Sequence, residues 1–310
     1  MNCLIVGYGS IGKRHADILK EMGHSICVVS KRNVKDFSHY PTIKKALQNK
    51  DFDYVIISNE TYKHFDSFIE LRELGYSGKI LIEKPVFAKI HALDETLLNN
   101  VFVAYNLRFH PVIQKLRMLL QGKQLYSIQA YSGQYLPDWR PGADYTNCYS
   151  ASKVMGGGVL RDLSHELDYI NWIAGGWRRV SAIGGKFSNL QIDSDDSYVL
   201  LMEMKNCPMV SIQINYLDRK AQREIIINLE GSSIKADLIL NTLEINGEIE
   251  KFEVERNLSY TLQHKAILRG NYHDMCTFDQ GMDVLKLIHA IEMAAREQIW
   301  ISRLDMEDYC

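Results

Sequence analysis

The chain has 310 residues, 46 % hydrophobic and 24 % charged, enough for two domains of ordinary size with packed cores. A formal net charge of −2 argues against a nucleic-acid partner, which calls for a strong basic balance, and no apolar run reaches the length of a membrane span. The N-terminus enters a strand directly, without a signal-peptide pattern. The cysteines Cys3, Cys27, Cys148, Cys207, Cys276 and Cys310 show no metal-ligand spacing, so reduced cytoplasmic thiols and no metal site are expected.

The first hundred residues alternate strand patterns (2–6, 25–29, 53–58, 79–82, 101–105) with helical ones (11–22, 42–49, 62–75, 88–98). Short apolar runs joined by amphipathic helices predict a doubly wound parallel sheet, with a first domain over 1–107. A second domain, 108–310, opens with a helix at 111–121 that starts on Pro111, a favoured first-turn residue. A strand at 125–132, a polar and aromatic loop at 133–155 and a helix at 159–174 follow. Strands at 179–188, 197–205, 209–217, 223–230, 233–238, 242–245 and 250–253 predict a large, mostly antiparallel sheet, and a last helix is expected at 279–297. With few helices to cover that sheet, apolar residues in 209–214 and 224–229 are expected to face a second copy, as a homodimer or homotetramer.

The chemistry-bearing residues fall at strand ends. Gly7-x-Gly9-x-x-Gly12 supplies a tight turn, a close backbone approach and helix-on-strand packing, and the helix start at Ser10 and Ile11 offers oriented N–H groups to a pyrophosphate. Taken alone it is also a plain Gly-rich turn. The second strand leads into Ser30-Lys31-Arg32, where an NAD site usually carries an acid for the ribose. A hydroxyl and two cations suit a 2′-phosphate, so NADP is preferred over NAD; the bland reading is a solvated basic turn. Ser58, Asn59 and Thr61 end the third strand, Asn59 or Thr61 as a helix cap, with His64 a turn later as a cofactor contact or a packing residue. Lys84, in Glu83-Lys84-Pro85, ends the strand 79–82 and so points toward whatever the glycine loop holds.

In the second half, Gly156-Gly157-Gly158 precedes Asp162-Leu163-Ser164-His165-Glu166-Leu167-Asp168. The glycines would let the chain pass close to a ligand, and Asp162 and His165, three apart, can share a helical face. By themselves the two read better as a helix-start acid and a buried histidine; beside Lys84 and a nicotinamide they do not. The loop 133–155 mixes aromatic walls with few polar anchors, as a small-ligand site needs, and Trp139, Arg140, Tyr145 and Tyr149 are its candidates. Arg140 suits an anionic substituent. The alternative is a surface loop whose aromatics pack on the sheet.

The glycine loop with His15, Glu83-Lys84-Pro85, Tyr105-Asn106-x-Arg108-Phe109-His110-Pro111 and Gly156-Gly157-Gly158…Asp162…His165…Asp168 together resemble the glucose–fructose oxidoreductase/inositol dehydrogenase/MocA family, over nearly the whole chain. The resemblance implies an N-terminal Rossmann domain binding NADP or NAD. Asn106 and Pro85 would lie among its contacts, with Arg108 and His110 on the substrate side. It implies hydride transfer on a sugar, sugar derivative or nucleotide sugar, with Lys84, His165 and Asp162 catalytic. One departure is visible: the family commonly spaces that Asp and His four apart, and here they are three apart. The Asp162–Asp168 segment is similar to a branch tied to surface-sugar pathways. Three rivals stand beside this reading: a non-catalytic nucleotide-binding sensor, an NAD-dependent glycosidase of the same family, and a reductase for another carbonyl.

Overall fold

The computed structural model describes residues 1–32, 34–139, 142 and 144–306. It has two compact units, residues 1–109 with 256–282, and residues 110–255 with 283 onward. The first segment ends within two residues of the expected boundary after 107. The chain then returns to the first unit, which a single boundary does not provide for.

In chain order the first segment carries β1 (Asn2–Val6), α1 (Ser10–Glu21), β2 (Ser25–Val29), β3 (Ser38–Tyr40), α2 (Ile43–Asn49), β4 (Tyr54–Ile57), α3 (His64–Glu73), β5 (Lys79–Ile82) and β6 (Val101–Val103). Next come α4 (Pro111–Leu120), β7 (Leu125–Gly133), α5 (Val159–Asp162), α6 (Ser164–Ile173), β8 (Trp177–Gly185), β9 (Ser197–Met204), β10 (Met209–Asn215), β11 (Gln222–Leu229), β12 (Ser232–Asp237), β13 (Thr242–Ile245) and β14 (Glu248–Lys251). The last elements are α7 (Leu258–Arg269), β15 (Cys276–Thr277), α8 (Phe278–Glu297) and β16 (Ile301–Ser302).

The first sheet has the order β15-β6-β5-β4-β1-β2-β3, parallel except for β15, which is the dinucleotide-binding arrangement. Its central strands are apolar because both faces are covered: Leu4, Ile5, Val55, Ile56, Ile80 and Leu81 are fully buried. Each such side chain contributes about 1.5–3 kcal/mol relative to exposure. Val6 pairs with Ile57 and Ile57 with Ile82, so β1, β4 and β5 end level on one edge. Gly7, Ser58 and Glu83 therefore leave the sheet side by side, and β5 lies about 10 Å from β1, two strand spacings away.

The second sheet, β14-β13-β12-β11-β7-β10-β9-β8-β16, is antiparallel except for the β7–β10 pair. Its strands alternate buried and exposed residues: α4 packs on β12 and β13, and α5 on β9 and β10. The expected apolar stripes in 209–214 and 224–229 mostly turn inward, since Val210, Ile212, Ile214, Ile225 and Ile227 are buried. The exposed apolar residues on these strands are Met209 and Ile226, joined by Val199, Leu201 and Ile183 on β9 and β8.

Four expectations need correction. Residues 88–98 form only a 3-10 turn, Glu95–Leu98, with none of it buried; Ile90, Leu93, Leu97 and Leu98 mimic an apolar helical stripe without a surface to pack on. The helix over 159–174 is two helices, interrupted at Leu163, where the Ser164 hydroxyl donates to the Arg161 carbonyl at 2.9 Å. Neither Asn59 nor Thr61 caps α3: Lys63 precedes that helix without a side-chain cap, and Asn59 donates to Ser67 Oγ at 2.8 Å. α7 and β3 were not expected at all.

Candidate active site

In the first unit the glycine loop can be read from what a side chain would meet. A Cβ on Gly7, where φ is +95°, would lie 2.4 Å from the Asn59 backbone nitrogen, and one on Gly12 would lie 2.1 Å from the Gly7 carbonyl oxygen. These two glycines are required by the protein's own packing. Gly9 differs: a Cβ there meets nothing within 4 Å. It is also the N-cap of α1, which has no side-chain cap and no acid in its first turn. Open space beside uncapped helix N–H groups fits a dinucleotide pyrophosphate, with Ser10, Ile11 and Gly12 opening the helix.

Ser58 Oγ donates to the Gly7 carbonyl at 3.1 Å and ties β4 to this loop. Among the described residues the buried Asn59 Oδ1 has no hydrogen-bond partner, an unused acceptor beside Gly7. Thr61 is buried in a 3-10 turn. The His64 ring is also buried, with Nε2 3.1 Å from the Asn59 carbonyl and Nδ1 3.2 Å from those of Pro85 and Val86. Burial holds its basicity below that of an ordinary histidine. His64 thus links the loop after β4 to the loop after β5. Ser30 Oγ accepts the Arg32 backbone N–H at 3.0 Å, while the side chains of Lys31 and Arg32 are exposed beyond β2.

Lys84 stands two residues beyond the level strand ends, partly buried, before a cis Pro85. The Glu83 carboxylate accepts the Lys84 N–H on Oε2 at 3.1 Å and pairs with His15 Nε2 through Oε1 at 2.8 Å. Burial pushes Glu83 upward, but the His15 hydrogen bond and the nearby Lys84 charge outweigh it and hold the carboxyl below the usual range. Two expected ligand residues make hydrogen bonds within the first unit. Asn106 donates to Ser259 Oγ at 2.7 Å, and Arg108, 2 % exposed, donates to Gln280 Oε1 at 2.6 Å and the Met275 carbonyl at 3.2 Å.

In the second unit Asp162 ends α5 and His165 lies in the first turn of α6, so the spacing does not place them on one continuous helix. Asp162 receives two tyrosine hydroxyls, Tyr149 on Oδ1 at 2.5 Å and Tyr216 on Oδ2 at 2.6 Å. Tyr216 is buried at the end of β10 and carried no sequence signal; it follows an ordinary alternating strand. His165 is partly exposed, while Glu166 is buried and paired with Arg223 Nε at 2.7 Å. The preceding glycines serve the fold: a Cβ on Gly157 would lie 2.1 Å from the Tyr149 carbonyl oxygen, and one on Gly158 2.3 Å from Asp195 Oδ1.

The described residues of the loop 133–155 include three short 3-10 turns, Leu136–Asp138, Tyr145–Asn147 and Tyr149–Ala151. Trp139 stands edge-on to Tyr216 at 5.2 Å and donates to the Gln134 carbonyl at 3.2 Å. The Tyr145 hydroxyl accepts the Gln191 N–H at 3.2 Å. Arg140 lies outside the described residues. His110 caps α4, accepting the Val112 N–H at 3.3 Å and meeting Asn241 Oδ1 at 3.2 Å; burial lowers its basicity. Among the described residues no group of three or more His, Cys, Asp or Glu is placed to hold a metal, and no helix is long and apolar enough to cross a membrane.

Two family models match the chain. One, an oxidoreductase family with an NAD-binding Rossmann fold, covers residues 1–98. The other, a GFO/IDH/MocA C-terminal domain, covers residues 113–265. Comparison with curated protein sequences gives no match. Among solved structures, the WlbA dehydrogenase from Bordetella pertussis, in complex with NADH and UDP-GlcNAcA, is 18 % identical with a TM-score of 0.80, covering 97 % of this chain and 98 % of its own. GenD2 from gentamicin A biosynthesis, in complex with NAD, is 19 % identical with a TM-score of 0.79, covering 97 % and 96 %. Levoglucosan dehydrogenase, in complex with NADH and L-sorbose, is 15 % identical with a TM-score of 0.83, covering 99 % and 100 %. At these identities the likeness is one of fold.

Proposed function

The chain belongs to the Gfo/Idh/MocA oxidoreductase family, and on that premise we propose that it is an NAD(P)-dependent dehydrogenase or reductase. Its substrate is the CH–OH group, or the matching carbonyl, of a sugar, sugar derivative or nucleotide sugar. The observation that carries the reading is the level edge of the first sheet, which the open glycine loop after β1 and Lys84 after β5 both leave, with β4 between them.

When bound, the nicotinamide supplies hydride transfer at its C4. The protein's part is placement and charge. Gly7, Gly9, Ser10, Ile11 and Gly12 hold the pyrophosphate, and the exposed cations Lys31 and Arg32 select a 2′-phosphate, which makes NADP the preferred form. Lys84 holds the reacting oxygen and offsets its developing negative charge. His165 takes or gives the hydroxyl proton. Asp162, already holding two tyrosine hydroxyls, orients Tyr149 and with it the end of the substrate loop. Trp139 and Tyr145 offer aromatic faces to a sugar ring. A second copy covers the exposed Ile183, Val199 and Leu201 of the C-terminal sheet, and the five free cysteines among the described residues suit a cytoplasmic setting.

The test is absorbance at 340 nm with NADP(H) and NAD(H) against a panel that includes UDP-GlcNAcA and L-sorbose. A sensor gives no turnover with any member, and a glycosidase releases sugar with no net absorbance change. Lys84→Met and His165→Ala are each expected to cut turnover about 10²–10⁴-fold with nucleotide still bound. Wild-type rates in either variant remove that residue from the mechanism.

A further inference from the structure

The Glu83 carboxylate, just beyond β5, is one end of a buried line of four side chains, the others drawn from α1, α7 and β4. His15 Nε2 lies 2.8 Å from Glu83 Oε1, His15 Nδ1 lies 2.9 Å from His264 Nε2, and His264 Nδ1 lies 3.0 Å from the Tyr54 hydroxyl. His15, His264 and Tyr54 are 0 % exposed and Glu83 is 8 % exposed.

The protons in such a line follow from one choice, that His15 is neutral; a cationic His15 would also donate from Nδ1 and reverse the other two bonds. An ionised carboxylate only accepts, so His15 donates from Nε2. A neutral His15 then has a bare Nδ1, which must receive the Nε2 proton of His264. That leaves His264 Nδ1 as an acceptor, and only the Tyr54 O–H remains to fill it. Three donors thus point the same way, Tyr54 to His264 to His15 to Glu83. The surroundings favour this state. Burial pushes the basicity of His264 well below the ordinary range and the Tyr54 hydroxyl well above its own. Among the described residues the ionisable groups facing the line include Lys84 and His64 toward Glu83, His24 toward His264, Cys3 and Tyr76 toward Tyr54, and Tyr260 edge-on to His15 with Arg14 over its ring. Because the Tyr54 end is closed to solvent, the line cannot conduct protons to water. What it can do is fix a dipole.

We propose that His15, His264 and Tyr54 are positioning residues for Lys84: their aligned donors hold Glu83 ionised with Oε1 occupied, leaving Oε2 to fix the Lys84 backbone and keep the lysine charged. The proposal rests on the reading that Lys84 acts on the reacting oxygen. It also gives α7, which belongs to the first unit although it follows most of the second in sequence, a part in the chemistry.

The line can be read without any substrate. Long-range ¹H–¹⁵N spectra of the full chain, labelled at histidine, are expected to show His15 and His264 both neutral and both protonated on Nε2; an Nδ1 proton on either overturns the proposal. Lys84 is read separately by trace acetic anhydride labelling and mass spectrometry at fixed pH, with Glu83→Gln marking the full effect. His264→Leu weakens the hold on Glu83 and is expected to raise Lys84 labelling about three- to tenfold. His264→Gln keeps a donor and an acceptor at the right separation and stays within about twofold of wild type. A packing role alone favours leucine over glutamine, the opposite order. A folded His264→Leu that labels like wild type, or a glutamine variant that labels like Glu83→Gln, overturns the proposal. If the leucine variant does not fold, the spectra and the glutamine variant decide. Inactivity of Lys84→Met belongs to the catalytic reading, so either claim can fail alone.

Discussion

Each unit has a glycine-rich turn into a helix, and the two look alike as strings of residues: Gly7-x-Gly9-x-x-Gly12 before α1 and Gly156-Gly157-Gly158 before α5. They differ in what occupies the space where a side chain would be. In the second turn, Gly157 and Gly158 face the Tyr149 carbonyl and the Asp195 carboxylate, so the absent Cβ atoms make room for the protein itself. In the first, Gly7 and Gly12 do the same, but Gly9 faces open space at a helix N-terminus. A glycine signals a ligand only where the fold leaves its missing side chain unfilled.

The largest expected effect tests the second turn. Gly158 has φ +116°, and its Cβ would lie 2.3 Å from Asp195 Oδ1. Gly158→Ala combines backbone strain with overpacking, so a loss of about 2–5 kcal/mol in denaturant unfolding is expected. A loss under about 1 kcal/mol shows that Asp195 can swing aside and that the turn has slack.

The next two changes probe the first turn through its ligand. Arg32→Ala is expected to cost about 1–3 kcal/mol of NADP affinity by calorimetry and little for NAD. Equal or tighter NAD binding in the wild-type protein removes the 2′-phosphate assignment. Gly9→Ala has an ordinary φ of −81° and open space, so the melting temperature should hold. Nucleotide affinity should still drop by roughly tenfold, about 1.4 kcal/mol, because the methyl enters the space kept for the pyrophosphate. Unchanged affinity means the phosphates lie elsewhere.

The same contrast explains what could be read ahead of the structure. The first sheet was legible because buried parallel strands are continuous apolar runs such as Leu4-Ile5-Val6 and Val55-Ile56-Ile57. The strand-end positions of Gly7, Ser58 and Glu83 follow from those runs. α7 was not legible, since its buried residues are Ser259, Gln263, His264, Ala266 and Ile267, a polar face without an apolar stripe. Its reason to be buried is the hydrogen bonding of residues such as His264 and Ser259 to partners more than a hundred positions away, which no local period records. Arg108 and His110 were legible as functional types; their bonds to Gln280 and Met275 in the first unit and to the start of α4 were not, because those partners follow from the fold. The two tyrosines on Asp162 come from a loop and a distant strand end, again beyond local pattern.

The smallest effect is also the one most tied to pH. Asp195 lies against Gly158 and accepts the Leu160 N–H at 3.2 Å, so it anchors the start of the helix that carries Asp162. Burial raises its carboxyl from 3.8 to about 6, against the lowering pull of that N–H and of Arg161. Between those two values the folded chain binds more protons than the unfolded one, so this residue's contribution to stability falls as pH rises from about 4 to about 6 and stays low above that. Asn keeps an acceptor for Leu160 and never ionises. Asp195→Asn should therefore match wild type near pH 4 and gain stability through the window. With the group partly open to solvent, the plateau above pH 6 should be on the order of 1 kcal/mol, well under the full two-unit equivalent. Melting curves at half-unit pH steps read this directly. A gain already complete at pH 4, or a loss that grows with pH, shows that the charge of Asp195 helps the turn and that Arg161 outweighs its burial.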